Sequence, residues 1–187
     1  LRPNQFCNLC EVNVSNIDSQ EDLNERVKVA AFIGTLQAGY TAFHYLREKW
    51  QETTEKDSLI GVSMTGIGSG VVLDYDMKKA ADVVKRENSR VAKLIGINKA
   101  ARTTTVKPAG TTSLALGTSS GIHPHHAKRY IRHVQANILE PPYQYFKSYN
   151  PQACEKSSWS ANDTDEVVKF PIEVPDGSKL KNQLPAV

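Results

Sequence analysis

Strand, helix, strand, helix, strand is the order read along the first hundred residues, and it predicts an α/β fold with parallel neighbouring strands and crossover helices. Three observations carry that prediction. Val12 and Val14 alternate with Glu11 and Asn13, as in a half-buried strand. Leu59 to Met64 is a short apolar run set between two long helical patterns. Thr103-Thr104-Thr105-Val106 is a β-branched run that suits a buried strand.

The elements follow in order. Leu1 to Val14 reads as a turn around Pro3-Asn4-Gln5 and then an extended segment from Phe6. Ser19 caps a long helix, with Asp22 three residues on as an imperfect capping box. Leu23, Val27, Ala30, Ile33, Leu36, Tyr40, Phe43, Leu46 and Trp50 recur every three or four residues, which predicts one helix with a single apolar stripe. After the Leu59 to Met64 strand comes Thr65-Gly66-Ile67-Gly68-Ser69-Gly70. A dinucleotide fingerprint needs glycine at position 71, where the chain has Val71, so this reads as a turn. Met77 to Ile97 is a second amphipathic helix. Further on, Ala127 to Ile138 reads as a strand, Tyr143 to Tyr149 as a short aromatic segment, Ser157 to Thr164 as loop, and Phe170 to Pro175 as a last strand.

The stretch Thr103 to Pro124 is the one the chain is organised around. Its β-branched run breaks at Lys107-Pro108-Ala109-Gly110. Thr111, Thr112 and Ser113 follow directly, and Leu114-Ala115-Leu116 leaves room for one or two helical turns before Gly117. A strand, a small-residue turn and hydroxyls at a helix start form an anion site, because free backbone N–H groups and the positive helix end face one point. The same pattern also describes an ordinary connection whose hydroxyls cap the helix. A second cluster, Gly117-Thr118-Ser119-Ser120-Gly121, adds weight to the ligand reading, since two such turns bring backbone close to a guest. No Gly-Lys-Ser/Thr follows, so this is not a Walker loop.

Composition narrows the classes. The 187 residues are 40% hydrophobic and 23% charged, ordinary values for a globular protein. Lys and Arg total 23 against 20 acidic residues, and a net charge of +3 with no basic stripe argues against a nucleic-acid partner. No apolar run nears the ~20 residues of a membrane helix, so no membrane partner and a cytoplasmic location are expected. Three cysteines do not make a secreted disulfide framework. Cys7 and Cys10 have the spacing of half a zinc site or of a thioredoxin-like motif, but no second pair follows; an inert core residue is the plain reading of Cys154. His123, His125, His126 and His133 lack the spacing of a strong metal site, and no metal is assigned. The start at Leu1 and the unpatterned end lead to the expectation of a fragment incomplete at both ends.

Two clusters carry a resemblance. At Cys7-Asn8-Leu9, and at Pro108-Ala109-Gly110-Thr111-Thr112-Ser113 with Gly117-Thr118-Ser119-Ser120-Gly121-Ile122, the sequence resembles ribonucleotide reductase large subunits, most closely the adenosylcobalamin-dependent class II type. The likeness also takes in Leu1 to Leu9 and Gly61 to Gly66. It implies that residues 1–187 are a fragment of one catalytic domain, a ten-stranded α/β barrel that reduces ribonucleotides to deoxyribonucleotides by thiyl-radical chemistry.

By that resemblance the radical cysteine belongs to an Asn-Pro-Cys-Gly-Glu loop expected upstream of Leu1, and no residue of this chain takes its role. Cys7 matches one cysteine of the redox pair, with its partner outside the chain. Pro108, Ala109, Gly110, Thr111, Thr112 and Ser113 match the segment that holds the substrate's phosphates. Cys10 departs from the Thr, Gly or Ser expected there. The implied cofactor is adenosylcobalamin; the implied partners are a ribonucleotide, the remainder of the reductase chain and a dithiol reductant such as thioredoxin. The alternative is a non-catalytic phosphate- or nucleotide-binding module, which the residues permit because the radical cysteine is not among them. If Phe6 to Val14 is extended, Cys7 and Cys10 point to opposite faces about 10 Å apart, too far for a disulfide.

Overall fold

The computed structural model describes residues 1–107 and 109–183, and these divide into two compact units: Leu1–Pro124 with Gly177–Lys179, and His125–Asp176 with the segment that starts at Leu180.

In the first unit, β1 (Asn8–Asn13) pairs in parallel with β2 (Ile60–Thr65), Asn8 opposite Ile60 and Asn13 opposite Thr65. The expected third strand is present as an extended segment bridged in parallel at Thr104 to Val62. It is held by Val62 N–H to Thr103 O at 2.9 Å and Thr105 N–H to Val62 O at 3.1 Å. Two long connections separate these strands, each carrying helix, as a parallel crossover requires. The α/β reading therefore holds for this unit; three neighbouring strands are seen, and a barrel is not.

One helical expectation is corrected. The apolar stripe from Leu23 to Trp50 does not belong to a single helix: α1 spans Gln20–Ala38 and α2 spans Glu48–Asp57. The cap at Ser19 is as expected, its side chain accepting from Asp22 N–H. At the other end the amides of Gly39 and Tyr40 turn to the carbonyls three residues back, Leu36 and Gln37, and this tightening ends the α-helix. Beyond it Tyr40 and Tyr45 are exposed, while Phe43 and Trp50 close on Phe6 with ring centroids 5.0 and 4.7 Å away. The period runs on past the break because Phe43, Leu46 and Trp50 fall in its phase, yet α2 buries Thr53 and Thr54, and its Trp50 packs on Phe6.

Within α1 the buried face is Leu23, Val27, Ala30, Ala31, Gly34, Thr35 and Ala38, narrow residues that let the helix lie close to the sheet; Ile33 and Leu36 turn outward. α3 (Met77–Ile95) is capped by Asp76, ends at Gly96 with φ +76°, and packs Ala80, Val84 and Val91 inward. Val12, Val14, Leu23, Val27, Ile60, Val62 and Val84 form the core between sheet and helices. Buried Asn88 of α3 donates to Thr35 Oγ1 of α1 at 2.9 Å and accepts from Ala100 N–H at 2.9 Å, so this buried amide is bonded at both ends. The glycine-rich stretch after β2 forms two short 3-10 turns, Ile67–Ser69 and Val71–Asp74, in keeping with a turn.

The second unit is antiparallel, which the α/β reading of the whole chain does not include. β3 (Arg129–Asn137) and β4 (Cys154–Lys156) flank β5 (Asp165–Glu173) in the order β3-β5-β4. β5 begins five residues before the strand expected at Phe170, because polar Asp165 and Glu166 pair with Asn137 and Ala136. After the four-residue α4 (Thr112–Ala115) of the first unit, the aromatic segment forms the next helix, α5 (Pro141–Tyr149), opened by two prolines. Buried Tyr143 donates its hydroxyl to Glu166, and Lys147 Nζ lies 2.7 Å from both oxygens of that carboxylate. This trio fastens α5 to β5. Burial, then Glu166, holds the Tyr143 phenol well above its usual range, and Lys147, then Tyr143, holds Glu166 below the usual carboxylate range.

Candidate functional site

Alternation sorts the first unit's strands into two faces. Asn8, Cys10 and Val12, with Ile60, Val62 and Met64, turn to the helices. Leu9, Glu11 and Asn13 stand opposite Gly61, Ser63 and Thr65 on the other face. Gly61 fixes the side: a β-carbon there would come 2.6 Å from Leu9 Cδ2 and 2.9 Å from Thr105 Cγ2, so Leu9 and Thr105 meet over it. Beyond Leu9 this second face is polar, unlike the helix-facing side.

Cys10 points to the helices, where a β-carbon on Gly34 of α1 would lie 3.1 Å from its Sγ, and it packs against the apolar core. Cys7, one residue ahead of β1, continues the alternation of Leu9 and Glu11 onto the polar face. Both thiols are free and half-buried. Burial pushes both above the usual thiol range, and the neighbouring Cys7 adds to the rise at Cys10.

The loop after the third segment closes over the far end of the same face. Pro108 lies outside the described residues. Ala109 and Gly110 donate their amides to Ser120 Oγ at 3.0 and 3.1 Å, Gly110 having φ +56°. Fully buried Ser113 donates its hydroxyl to Gly110 O at 2.6 Å. Thr111 and Thr112 are exposed, and Thr111 precedes the four-residue α4 (Thr112–Ala115) without bonding the helix by its side chain. The six expected phosphate residues thus divide. Ala109, Gly110 and Ser113 build the loop from within, while Thr111 and Thr112 present hydroxyls outward.

The second hydroxyl cluster braces the first. Besides Ser120, the Ser119 carbonyl accepts from Thr65 Oγ1 at 3.0 Å and from Gly66 N–H at 3.0 Å, and Gly121 N–H donates to Thr65 Oγ1 at 2.9 Å. Asn13 Nδ2 reaches Leu116 O at 3.3 Å. Gly68 is required where it is: a β-carbon would fall 2.8 Å from His123 O and 2.9 Å from Ser119 Oγ. Both loops therefore rest on the C-terminal ends of β1 and β2.

One contact was missed in the sequence. Lys107 Nζ pairs with Glu11 on the polar face, reaching over β2, where Ser63 stands opposite Glu11. Its signal was parity: Glu11 shares the phase of Cys7 and Leu9, and Lys107 shares that of Thr105. Three buried polar atoms have no hydrogen-bond partner among the described residues, namely Glu11 Oε2, Thr118 Oγ1 and Ser119 Oγ.

The histidines have separate surroundings. His123 Nδ1 lies 3.1 Å from Ser120 O. Buried His125 lies 3.4 Å from the Tyr130 hydroxyl, and burial, then Arg132, holds it below the usual imidazole range. Among the described residues no three His, Cys, Asp or Glu side chains converge as a metal ion would need. Nor, among them, is any helix long and apolar enough to cross a membrane.

The resemblance read in the sequence stands. The chain is 25% identical, over 194 aligned positions covering 96% of it, to a probable adenosylcobalamin-dependent ribonucleoside-triphosphate reductase of Dictyostelium discoideum. It is similar in fold, with a TM-score of 0.67, 23% identity and 92% of its length covered, to the crystal structure of a B-12-dependent (class II) ribonucleotide reductase. It spans about a quarter of each, 24% of the former and 28% of the latter. No protein-family model matches it.

Proposed function

We propose that this chain is part of the catalytic subunit of a ribonucleotide reductase, an oxidoreductase that uses adenosylcobalamin. In this reading the polar face of the first unit is where a ribonucleotide lies. What supports it is that Cys7, one residue ahead of β1, is in phase with Leu9 and Glu11, and that Asn13 of the same face holds the hydroxyl loop through Leu116 O. By strand rise Cys7 and Glu11 stand ~13 Å apart, so a thiol near one end and an anion loop beyond the other match an extended nucleotide.

The chemistry fits those groups. Replacing the ribose 2′-hydroxyl by hydrogen takes two electrons and two protons and releases water; two thiols supply them and close a disulfide. Cys7 is one of the two, its partner lies elsewhere in the protein, and a dithiol such as thioredoxin reopens the bond. Adenosylcobalamin, when bound, supplies the radical that starts the reaction. The polar face itself, with Glu11, Asn13, Ser63 and Thr65, offers no flat apolar wall for a corrin, so the cofactor would be held by other residues. This chain's share is to grip the phosphates through hydroxyls and amides, which bring no thiol near the radical, and to hold the ribose against Cys7.

The test uses the full-length protein with a ribonucleoside triphosphate, adenosylcobalamin and a dithiol. Deoxyribonucleotide should form over many turnovers. Cys7→Ser should abolish multiple turnover, a loss of at least a hundredfold, while Cys10→Thr should change the rate less than twofold. Nucleotide binding without reduction in the wild type would favour the non-catalytic binding module instead. A Cys7–Cys10 disulfide mapped after one turnover would remove the pairing of Cys7 with a distant partner.

A further inference from the structure

Glu11 sits on the polar face of β1, between Cys7 and the hydroxyl loop. Its side chain keeps only 8% of its surface exposed. One carboxylate oxygen is held by Lys107, and the other, Oε2, is buried with no hydrogen-bond partner among the described residues. A buried carboxylate oxygen without a donor is unfavourable, and in a folded protein such an atom calls for a group that completes it.

Resting on the nucleotide reading above, we infer that Glu11, clamped by Lys107, is a substrate-positioning residue whose Oε2 accepts a hydrogen bond from a hydroxyl or amino group of the bound nucleotide. Three observations narrow the guest. The atom is an acceptor, so it needs an O–H or N–H; a phosphate oxygen offers neither and would be repelled. Glu11 is in phase with Leu9 of the same face and with Cys7 just ahead of the strand, and its partner Lys107 stands two residues before Ala109, so a nucleotide whose phosphates are held by that loop would lay its sugar and base along this part of the strand. Ser63, opposite Glu11 on β2, is small enough for the Lys107 side chain to cross above it. The ion pair also balances the carboxylate's charge, which lets an anionic ligand lie alongside.

The full-length protein separates this role from that of a simple staple between strands. Glu11→Gln keeps size and removes the charge-assisted acceptor; it should raise the Kd of a ribonucleoside triphosphate about tenfold or more. The exchange Glu11→Lys with Lys107→Glu rebuilds the ion pair but moves the carboxylate to the neighbouring segment; it should restore the melting temperature and not the Kd. Wild type should also discriminate against 2′-deoxy or 3′-deoxy nucleotides if the donor is a sugar hydroxyl, or against a base lacking its amino group if the donor is that amine. Glu11→Gln should erase whichever discrimination is seen. Should the exchange fail to fold, the Kd and discrimination of Glu11→Gln decide alone. Recovery of binding in the exchange, or a Kd within twofold of wild type in Glu11→Gln, overturns the inference. Wild type that binds no ribonucleotide overturns the nucleotide reading beneath it; equal binding by wild type and Glu11→Gln overturns this inference alone.

Discussion

At the scale of single residues, environment sorts groups that composition cannot. His125 is one of four histidines crowded between positions 123 and 133, yet it alone is 4% exposed, with its ring beside Tyr130. Burial disfavours the imidazolium, and nearby Arg132 adds to the effect, so the folded state holds the proton less well than the unfolded chain. Stability contributed by neutral His125 is therefore fully present above the unfolded value of about 6.5 and declines as pH falls from there towards the lower folded value. An NMR titration should find its ring midpoint below that of an exposed histidine, and His125→Gln should flatten the fall of the urea midpoint between pH 7 and pH 5. A His125 midpoint at or above the ordinary value would contradict this. The sequence showed the cluster of histidines but not this difference, because His125 is bridged to Leu180 and accepts from Lys181 N–H, dozens of residues away.

At the scale of elements, local chemistry was legible and distant pairing was not. Ser19, Asp76 and Gly96 marked helix ends, and alternation in Val12 and Val14 marked a strand, since each signal lies within a few residues of what it controls. The break after Ala38 was hidden because the apolar period runs through it into α2. The hydroxyl loop was located, but its internal division needed Ser120: with the Ala109 and Gly110 amides bonded to that hydroxyl, the outward donors are those of Thr111 and Thr112. Thr111→Val with Thr112→Val keeps the β-branched shape and removes both hydroxyls. In the full-length protein this pair should raise the KM for the ribonucleotide about tenfold to a hundredfold, as for the loss of two hydrogen bonds to a charged group, with the melting temperature nearly unchanged. An unaltered KM would take the loop out of the site. The Glu11–Lys107 contact was the least legible, since 96 positions separate its partners and only strand register brings them together.

At the scale of the molecule, the first unit has apolar surface and strand edges that its own residues leave open. Among the described residues β1 pairs with β2 and with no other strand, and beside it a cavity of about 470 Å³ is lined by Cys10, Val12, Val29, Ala30 and Ile33. On the other flank, Met64, Met77, Ala81, Val84 and Val106 line a second of about 340 Å³. Val29 is 55% exposed and Ile33 52%. Unpaired N–H and C=O groups next to bare aliphatic side chains are a template for another chain, so residues 1–187 alone should self-associate. They should also be inactive, because the reading of Cys7 as one of a pair leaves the second thiol, and the radical cysteine that the resemblance implies, outside these residues. Light scattering on the purified 187 residues should show oligomers that bind a hydrophobic dye, and an assay with ribonucleoside triphosphate, adenosylcobalamin and dithiol should yield no deoxyribonucleotide. A monodisperse, dye-silent monomer would mean that the flanks need no cover. Deoxyribonucleotide from that monomer would place the whole reaction, second thiol included, within Cys7, Cys10 and Cys154, and would overturn the assignment of Cys7 to a distant partner.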